Sequence, residues 1–490
     1  MHVLFLTCPS HRYTEPELDM FLSPLPGAFL LSEIIRNHGC SVELIQDADV
    51  RLSDLTMSEE LERKAKVSDL VCISATSFNW HVLRLLPMRL HTLGHPVPVI
   101  VGGVHASLVP DYLISDPSID VVAPGEGEEV ILELVDAYRG KRGLETINGI
   151  KFRKNGCVVS TPLRKVLSPT ELSNTQVLKW DDLNDAPRFL PVQTSRGCLM
   201  NCRFCSVPFR RSWRAFSVKH ILSSIEIALE KMGNSSHKSI LFADDCLTAD
   251  KQFVLELVEG ILESHPEVWF TIEGRITDLL DIEILSALVK LNIQTIQVGV
   301  ECGYDEGLKR IRKGLNTNRV WKFAELMNKF GMGHTVRYSY IVGFPWESLE
   351  EITRTMNFAY KVAKKWGGVV QLNWWMVMPG NDLFHEIARD YDVDESLFDK
   401  SRWFLDKSCF FETHPWITQR EVEAVQEYAT FLALSHPTIP TIGSVFNTPW
   451  LQDEEVCLNP ANQLQSAIRK FSNELLEAKD VKLSISKTLS

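Results

Sequence analysis

Short β-rich apolar runs alternate with amphipathic, helix-sized stretches from the first residues onward, and this alternation limits the fold more than any other feature of the 490-residue chain. Residues 2–7 are followed by 26–37, 41–45 by 57–66, and 69–73 by 80–93. The pattern continues through 97–101, a short helix near 110–114, 120–123 and 128–138. Such alternation means a parallel sheet wound with helices on both faces. Five strands in about 140 residues is the size of a flavodoxin-like doubly wound domain, which takes its ligands beyond the carboxyl ends of the strands, where the strand order reverses.

Residues 149–159 read as two alternating runs around Asn155-Gly156, a hairpin signal that marks the edge of this first domain. The stretch 160–191 is polar and punctuated by Pro162, Pro169 and Pro187, as a linker would be. Alternation then resumes with longer helices. Strands are expected near 192–194, 239–243, 269–273, 295–300, 335–342 and 369–375, with helices at 218–231, 251–263, 279–291, 320–330 and 349–364. Six strands suffice for a partial (β/α)6 barrel with its chemistry at the C-terminal ends of the strands. From about 391 the chain is mostly helical, with patterns near 419–434 and 462–477. The expected division is 1–145, a hairpin and linker over 146–190, a barrel over 191–390 and a helical region over 391–490.

Lys+Arg is 51 against Asp+Glu 63, a formal charge of −12, which gives phosphates no basic face and argues against a nucleic-acid partner. No apolar run approaches the roughly 18 to 20 residues of a membrane helix. The start, Met1-His2-Val3-Leu4-Phe5-Leu6, has neither a basic n-region nor a small-residue cleavage site, so a cytoplasmic protein is expected. Eleven cysteines are an odd number in such a chain and argue against a disulfide framework. Eight are scattered singly, including Cys246 and Cys302, and read as small core hydrophobes.

The other three are Cys198, Cys202 and Cys205, a C-x3-C-x2-C triplet directly after the first barrel strand. Three thiolates on one short loop can hold three irons of a [4Fe-4S] cluster and leave the fourth iron open for reaction. Zinc is the rival, but structural zinc wants four ligands, usually as two separated pairs, and no second pair is present.

With Phe204 before its third cysteine, the triplet resembles the signature of radical S-adenosylmethionine (SAM) enzymes, over roughly residues 190 to 380. The resemblance implies that SAM chelates the open iron, accepts an electron from an external flavodoxin- or ferredoxin-like donor and yields a 5′-deoxyadenosyl radical. Cys198, Cys202 and Cys205 would then be cluster ligands and Phe204 would pack near the adenine. Asp244 closes the second strand, where the family places polar groups for the SAM amino group, and Arg275 after the third would clamp the SAM carboxylate. Gly299-Val300-Glu301-Cys302 resembles the family's Gly-Ile-Glu-Ser, with Glu301 at the ribose hydroxyls and Cys302 in place of the usual Ser. Ile341-Val342-Gly343-Phe344-Pro345-Trp346-Glu347 resembles the segment in which a glycine, here Gly343, lets the backbone approach the adenine.

In the first domain, Ser74-Ala75-Thr76, Gly102-Gly103 and Gly125-Glu126 follow the third, fourth and fifth strands. Placed before such a barrel, they resemble the cobalamin-binding domains of the class B radical SAM methyltransferase-like subfamily. Ser74, Thr76, Gly102, Gly103, Gly125 and Glu126 would then contact cobalamin. The Asp-x-His-x-x-Gly motif of many cobalamin domains is missing; His11 stands in the first loop and His105 after the fourth strand. The basic run Arg203, Arg210, Arg211, Arg214 and Lys219 faces either an acidic group or solvent. The resemblance implies methylation of an unactivated carbon in a small-molecule or peptide substrate. Cyclisation or ring rearrangement with the same cofactors is the alternative, and a corrin-binding sensor that does not cleave SAM is the non-enzymatic one.

Overall fold

The computed structural model describes residues 1–7, 24–46, 59–183, 189–233, 238–400, 403, 404 and 406–435. His11, the start of the helix expected over 57–66 and the helix expected near 462–477 lie outside the described residues. The chain divides into two compact units, Met1–Ile296 with Val377–Trp403, and Gln297–Met376 with the chain from Phe404.

In the first unit, β1 (His2–Thr7), β2 (Ser41–Gln46), β3 (Leu70–Ser74), β4 (Val99–Gly102) and β5 (Val121–Val122) form a parallel sheet in the order β2-β1-β3-β4-β5. This is the flavodoxin-like order, with its reversal between β1 and β3. Val3, Leu4, Phe5 and Leu6 are all buried, because β1 lies inside the sheet and is covered on both faces. The helices Pro26–Asn37 and Val130–Tyr138 close the core over Phe5, Cys72 and Ile100.

The hairpin β6 (Lys151–Lys154) and β7 (Cys157–Ser160) turns at Asn155 and Gly156, whose φ values of 51° and 78° suit a tight two-residue turn. It does more than mark an edge. β6 pairs antiparallel with β5 and extends the sheet to seven strands, burying Phe152 and covering what would be an open edge. The stretch read as a linker likewise contains regular structure. It carries the helix Pro169–Asn174 with a Ser168/Glu171 capping box, and Trp180 packs on Phe29 with ring centroids 5.0 Å apart. A single aromatic anchor has no periodicity, so the sequence pattern did not reveal it.

Also in the first unit, β8 (Phe189–Val192) leads into a small ribbon of β9 (Ser195–Arg196) and β10 (Arg214–Ala215). β8, β11 (Ser239–Phe242) and β12 (Trp269–Gly274) are parallel, in the order β8-β11-β12, with the helices Val218–Met232 and Lys251–Ser264 as crossovers. The helix expected over 279–291 is instead Ile276–Leu279 and Ile282–Leu288. Asp281 caps the second piece, accepting from Glu283 N at 2.9 Å, and so ends the first. β13 (Asn292–Glu301) runs on into the second unit, where β14 (Val336–Val342) and β15 (Val369–Trp374) continue the parallel pattern with the helices Thr317–Lys329 and Leu349–Trp366. Among the described residues no helix is long and apolar enough to cross a membrane.

Candidate functional site

The three cysteines lie on the loop closed by β9 and β10. Gly197 starts it at φ 83°, where a Cβ would collide with the backbone carbonyls of Phe209 and Ser212, so only glycine fits. Its N–H donates to Asp245 at 3.0 Å, and Cys198 N–H donates to the Phe209 carbonyl at 3.3 Å. The far side is held by the segment after β15. Fully buried Asn381 donates to the carbonyls of Phe204 (3.1 Å) and Met378 (2.8 Å) and to Ser206 Oγ (2.9 Å), while Arg203 pairs with Glu386. The loop is therefore braced at both ends before any metal arrives.

None of the three is in a disulfide; Cys202 is buried, and Cys198 and Cys205 are half-buried. A hydrogen bond from Cys246 lowers the Cys198 thiol below the ordinary cysteine value, against the opposing effect of burial. Cys246 is buried, as a small core residue should be, and it stands two residues beyond Asp244 at the end of the neighbouring strand. Among the described residues no three His, Cys, Asp or Glu side chains converge as on a single metal ion. A four-iron cluster asks for something different, since each thiolate binds its own iron and the sulfurs stay apart. The donor set fits that group.

Two of the strand-end residues already have partners within the protein. Asp244, expected at the SAM amino group, is buried and its carboxylate is already in use. It accepts from Thr194 N (2.8 Å) and Oγ1 (2.7 Å) and from Ser195 N (2.6 Å) and Oγ (3.2 Å). Burial pushes it up to about 6 despite these bonds. It braces the entry to the cysteine loop. Arg275 makes a bidentate pair with Asp278, at 2.6 and 2.8 Å, rather than standing open as a clamp. Paired charges three residues apart at the start of a helical turn find each other first.

In the second unit, Glu301 has φ 75°, unusual for a side chain of its size, and its carboxylate bonds Lys313 Nζ at 2.7 Å. Gly343 has φ 83°, and a Cβ there would lie 2.5 Å from the Trp374 ring. Glu347 gathers the turn, accepting from Gly343 N (2.7 Å), Phe344 N (3.1 Å) and the Tyr304 hydroxyl (2.8 Å). Burial raises Glu347 from 4.5 to about 7. A carboxyl raised on folding contributes its full stability below the unfolded value and loses it as pH climbs through the folded one. The stability of wild type relative to Glu347→Gln should therefore fall from about pH 5 to about pH 8, by at most about 3 kcal/mol in urea titrations. A pH-independent difference would contradict this.

A cavity of about 330 Å³ opens at the carboxyl ends of β3, β4 and β5, lined by Ser74, Gly102, Gly103, Gly125 and Glu126. It reaches inward past Phe5, Cys72 and Ile100 to Leu134, an apolar slot that suits a flat aromatic base such as the tail of cobalamin. Gly103, at φ 90°, has no room for a Cβ, which would lie 2.7 Å from the Ala75 carbonyl. Thr76 lies outside the lining, and its hydroxyl is buried without a partner. Glu126 lines the cavity, but its carboxylate turns to Arg196 and Arg214 rather than to the open space. His105 is buried beside the slot, bonded to Ser77 Oγ at 2.9 Å and lowered to about 3 by desolvation, so it packs as a neutral ring. The far wall comes from Pro208, Phe209 and Asp245, so the cavity and the cysteine loop share a boundary.

Residues 22–135 match the B12 binding domain and residues 192–359 the Radical SAM superfamily. An uncharacterized methyltransferase of Pyrococcus horikoshii is 29% identical over 370 residues, covering 74% of this chain and 78% of that protein. The anaerobic magnesium-protoporphyrin IX monomethyl ester cyclase of Rubrivivax gelatinosus is 26% identical over 311 residues, 61% of this chain and 54% of that protein, so the chain spans about half of it. The structure of the radical SAM methyltransferase TsrM from Kitasatospora setae, with cobalamin and a [4Fe-4S] cluster bound, has a similar fold, at TM-score 0.61 and 15% identity over 79% of this chain and 75% of that one. The chain thus carries a B12 binding domain followed by a radical SAM domain, the pair found in cobalamin-binding radical SAM enzymes, and these domains imply a [4Fe-4S] cluster, SAM and cobalamin as its cofactors.

Proposed function

We propose that this enzyme moves a methyl group onto an unactivated carbon of a small-molecule or peptide biosynthetic intermediate. One observation carries the reading: Pro208 and Phe209, from the loop that bears the cysteines, form a wall of the cavity beyond β4. A corrin seated there would lie next to the site of radical formation, and both would face one substrate. When bound, the cluster and SAM supply a hydrogen-abstracting radical, and cobalamin supplies the methyl group.

The chain's own part is binding and alignment. Cys198, Cys202 and Cys205 hold the cluster, with Phe204 and Gly343 against the adenine and Glu301 at the ribose. Ser74, Gly102, Gly103 and Gly125 admit the corrin and its tail, with Thr76 just outside their cavity. The domain limits of 1–145, 146–190, 191–390 and 391–490 belong to the same proposal, as do an external flavodoxin- or ferredoxin-like electron donor and a cytoplasmic setting.

Reduced, reconstituted enzyme given candidate substrate and methyl-labelled SAM should move label into product and release both 5′-deoxyadenosine and S-adenosylhomocysteine. 5′-Deoxyadenosine without S-adenosylhomocysteine would instead favour ring closure, the reading that the cyclase-named relative supports. Gly103→Ala should weaken hydroxocobalamin binding by at least about tenfold, the effect of roughly 1.4 kcal/mol of backbone strain, as read by absorbance titration.

A further inference from the structure

We propose that the buried charges Glu126, Arg196, Glu128 and Arg214 are positioning residues that couple occupancy of the corrin cavity to the cysteine loop, so that cobalamin and the iron–sulfur cluster bind cooperatively. The proposal rests on the reading that the cavity beyond β4 takes cobalamin, and it holds whichever product is formed.

The four side chains are between 6% and 11% exposed, two of each sign. Glu126 lies between both arginines, 2.8 Å from Arg196 and 2.9 Å from Arg214, and also accepts Leu167 N at 2.6 Å. Arg196 reaches on to Glu128 at 2.5 Å. Buried charges hold well only while every partner is in place, so this cluster fixes the separation of the pieces it joins. Those pieces are the two cofactor sites. Glu126 and Glu128 alternate with Gly125 and Gly127 along the cavity rim. Arg196 and Arg214 pair across the β9–β10 ribbon, and Arg196 stands two residues before Cys198.

A second contact completes the connection. The Arg214 guanidinium lies 5.1 Å from the centroid of the Phe209 ring. Phe209 lines the cavity, and its carbonyl holds the Cys198 N–H. A ligand filling the cavity thus presses on the residue that sets the backbone of the first cluster ligand, while the charge cluster stops that wall from retreating. Coupling of this kind is reciprocal: a cluster that orders the loop must improve corrin binding by the same factor. Charges that served the fold alone would leave the two affinities independent.

The test is anaerobic titration of the full chain with hydroxocobalamin before and after cluster reconstitution, followed by absorbance, with iron release to a chelator as a second readout. Reconstitution should tighten hydroxocobalamin binding by about tenfold in wild type, within the usual range of coupling between sites, and bound hydroxocobalamin should slow iron release severalfold. In Glu126→Gln both factors should fall below about threefold with the circular dichroism spectrum kept. If that variant does not fold, Phe209→Leu, which leaves the charges intact, should lose the same coupling. Equal affinity of the cluster-free and cluster-loaded wild type overturns the proposal, as does undiminished coupling in a folded variant. Hydroxocobalamin binding unaltered by Gly103→Ala would overturn the cavity reading instead.

Discussion

Replacing Cys202 by alanine is expected to strip most of the iron from the reconstituted protein and to lower 5′-deoxyadenosine formation by at least about 10³-fold, the scale on which a cooperative catalytic set fails when one member is lost. Cys202 is the most buried of the three thiols on the loop, so no solvent-exposed side chain easily takes its place. With two thiolates left, two irons would lack protein ligands and the loop would no longer present a single open one. Iron and sulfide analysis alongside product quantification checks this. Near-normal iron with near-normal deoxyadenosine in the variant would mean that the cysteine triplet is not the cluster site.

The second large effect is structural. Asp244→Ala is expected to destabilise the first unit by about 4 kcal/mol in urea denaturation, because it leaves the backbone and hydroxyl donors of Thr194 and Ser195 buried without their acceptor. The same change should lower cluster loading, since those two residues lead directly into Gly197 and Cys198. Asp244→Asn keeps one acceptor oxygen and should fall between alanine and wild type. A loss below about 1 kcal/mol in the alanine variant would be the size of an ordinary single hydrogen bond and would contradict the bracing role.

The features legible in the sequence were those with a period or a fixed spacing. Strands such as β1 and β14 are apolar where a covered parallel strand must be, and the spacing of Cys198, Cys202 and Cys205 states its chemistry without a structure. Residues whose role depends on which partner folding delivers were not legible in this way. Asp244 and Arg275 stand at strand ends suited to SAM, yet Thr194, Ser195 and Asp278 satisfy them first. Glu126 follows β5, as expected of a cavity residue, but Arg196 and Arg214 arrive from 70 and 88 residues further along the chain and turn its carboxylate. The hairpin was recognisable from Asn155-Gly156, whereas its pairing with β5 is a long-range choice that the turn itself does not encode.

Whether the cysteine loop carries a site-differentiated cluster is decided by reconstituting the wild type anaerobically with iron and sulfide, counting the metal, and assaying SAM cleavage under a strong reductant beside a variant in which Cys198, Cys202 and Cys205 are all alanine. Wild type should hold about four irons and four sulfides per chain and alone should form 5′-deoxyadenosine. Zinc in place of iron, or deoxyadenosine formed equally by both proteins, would contradict this.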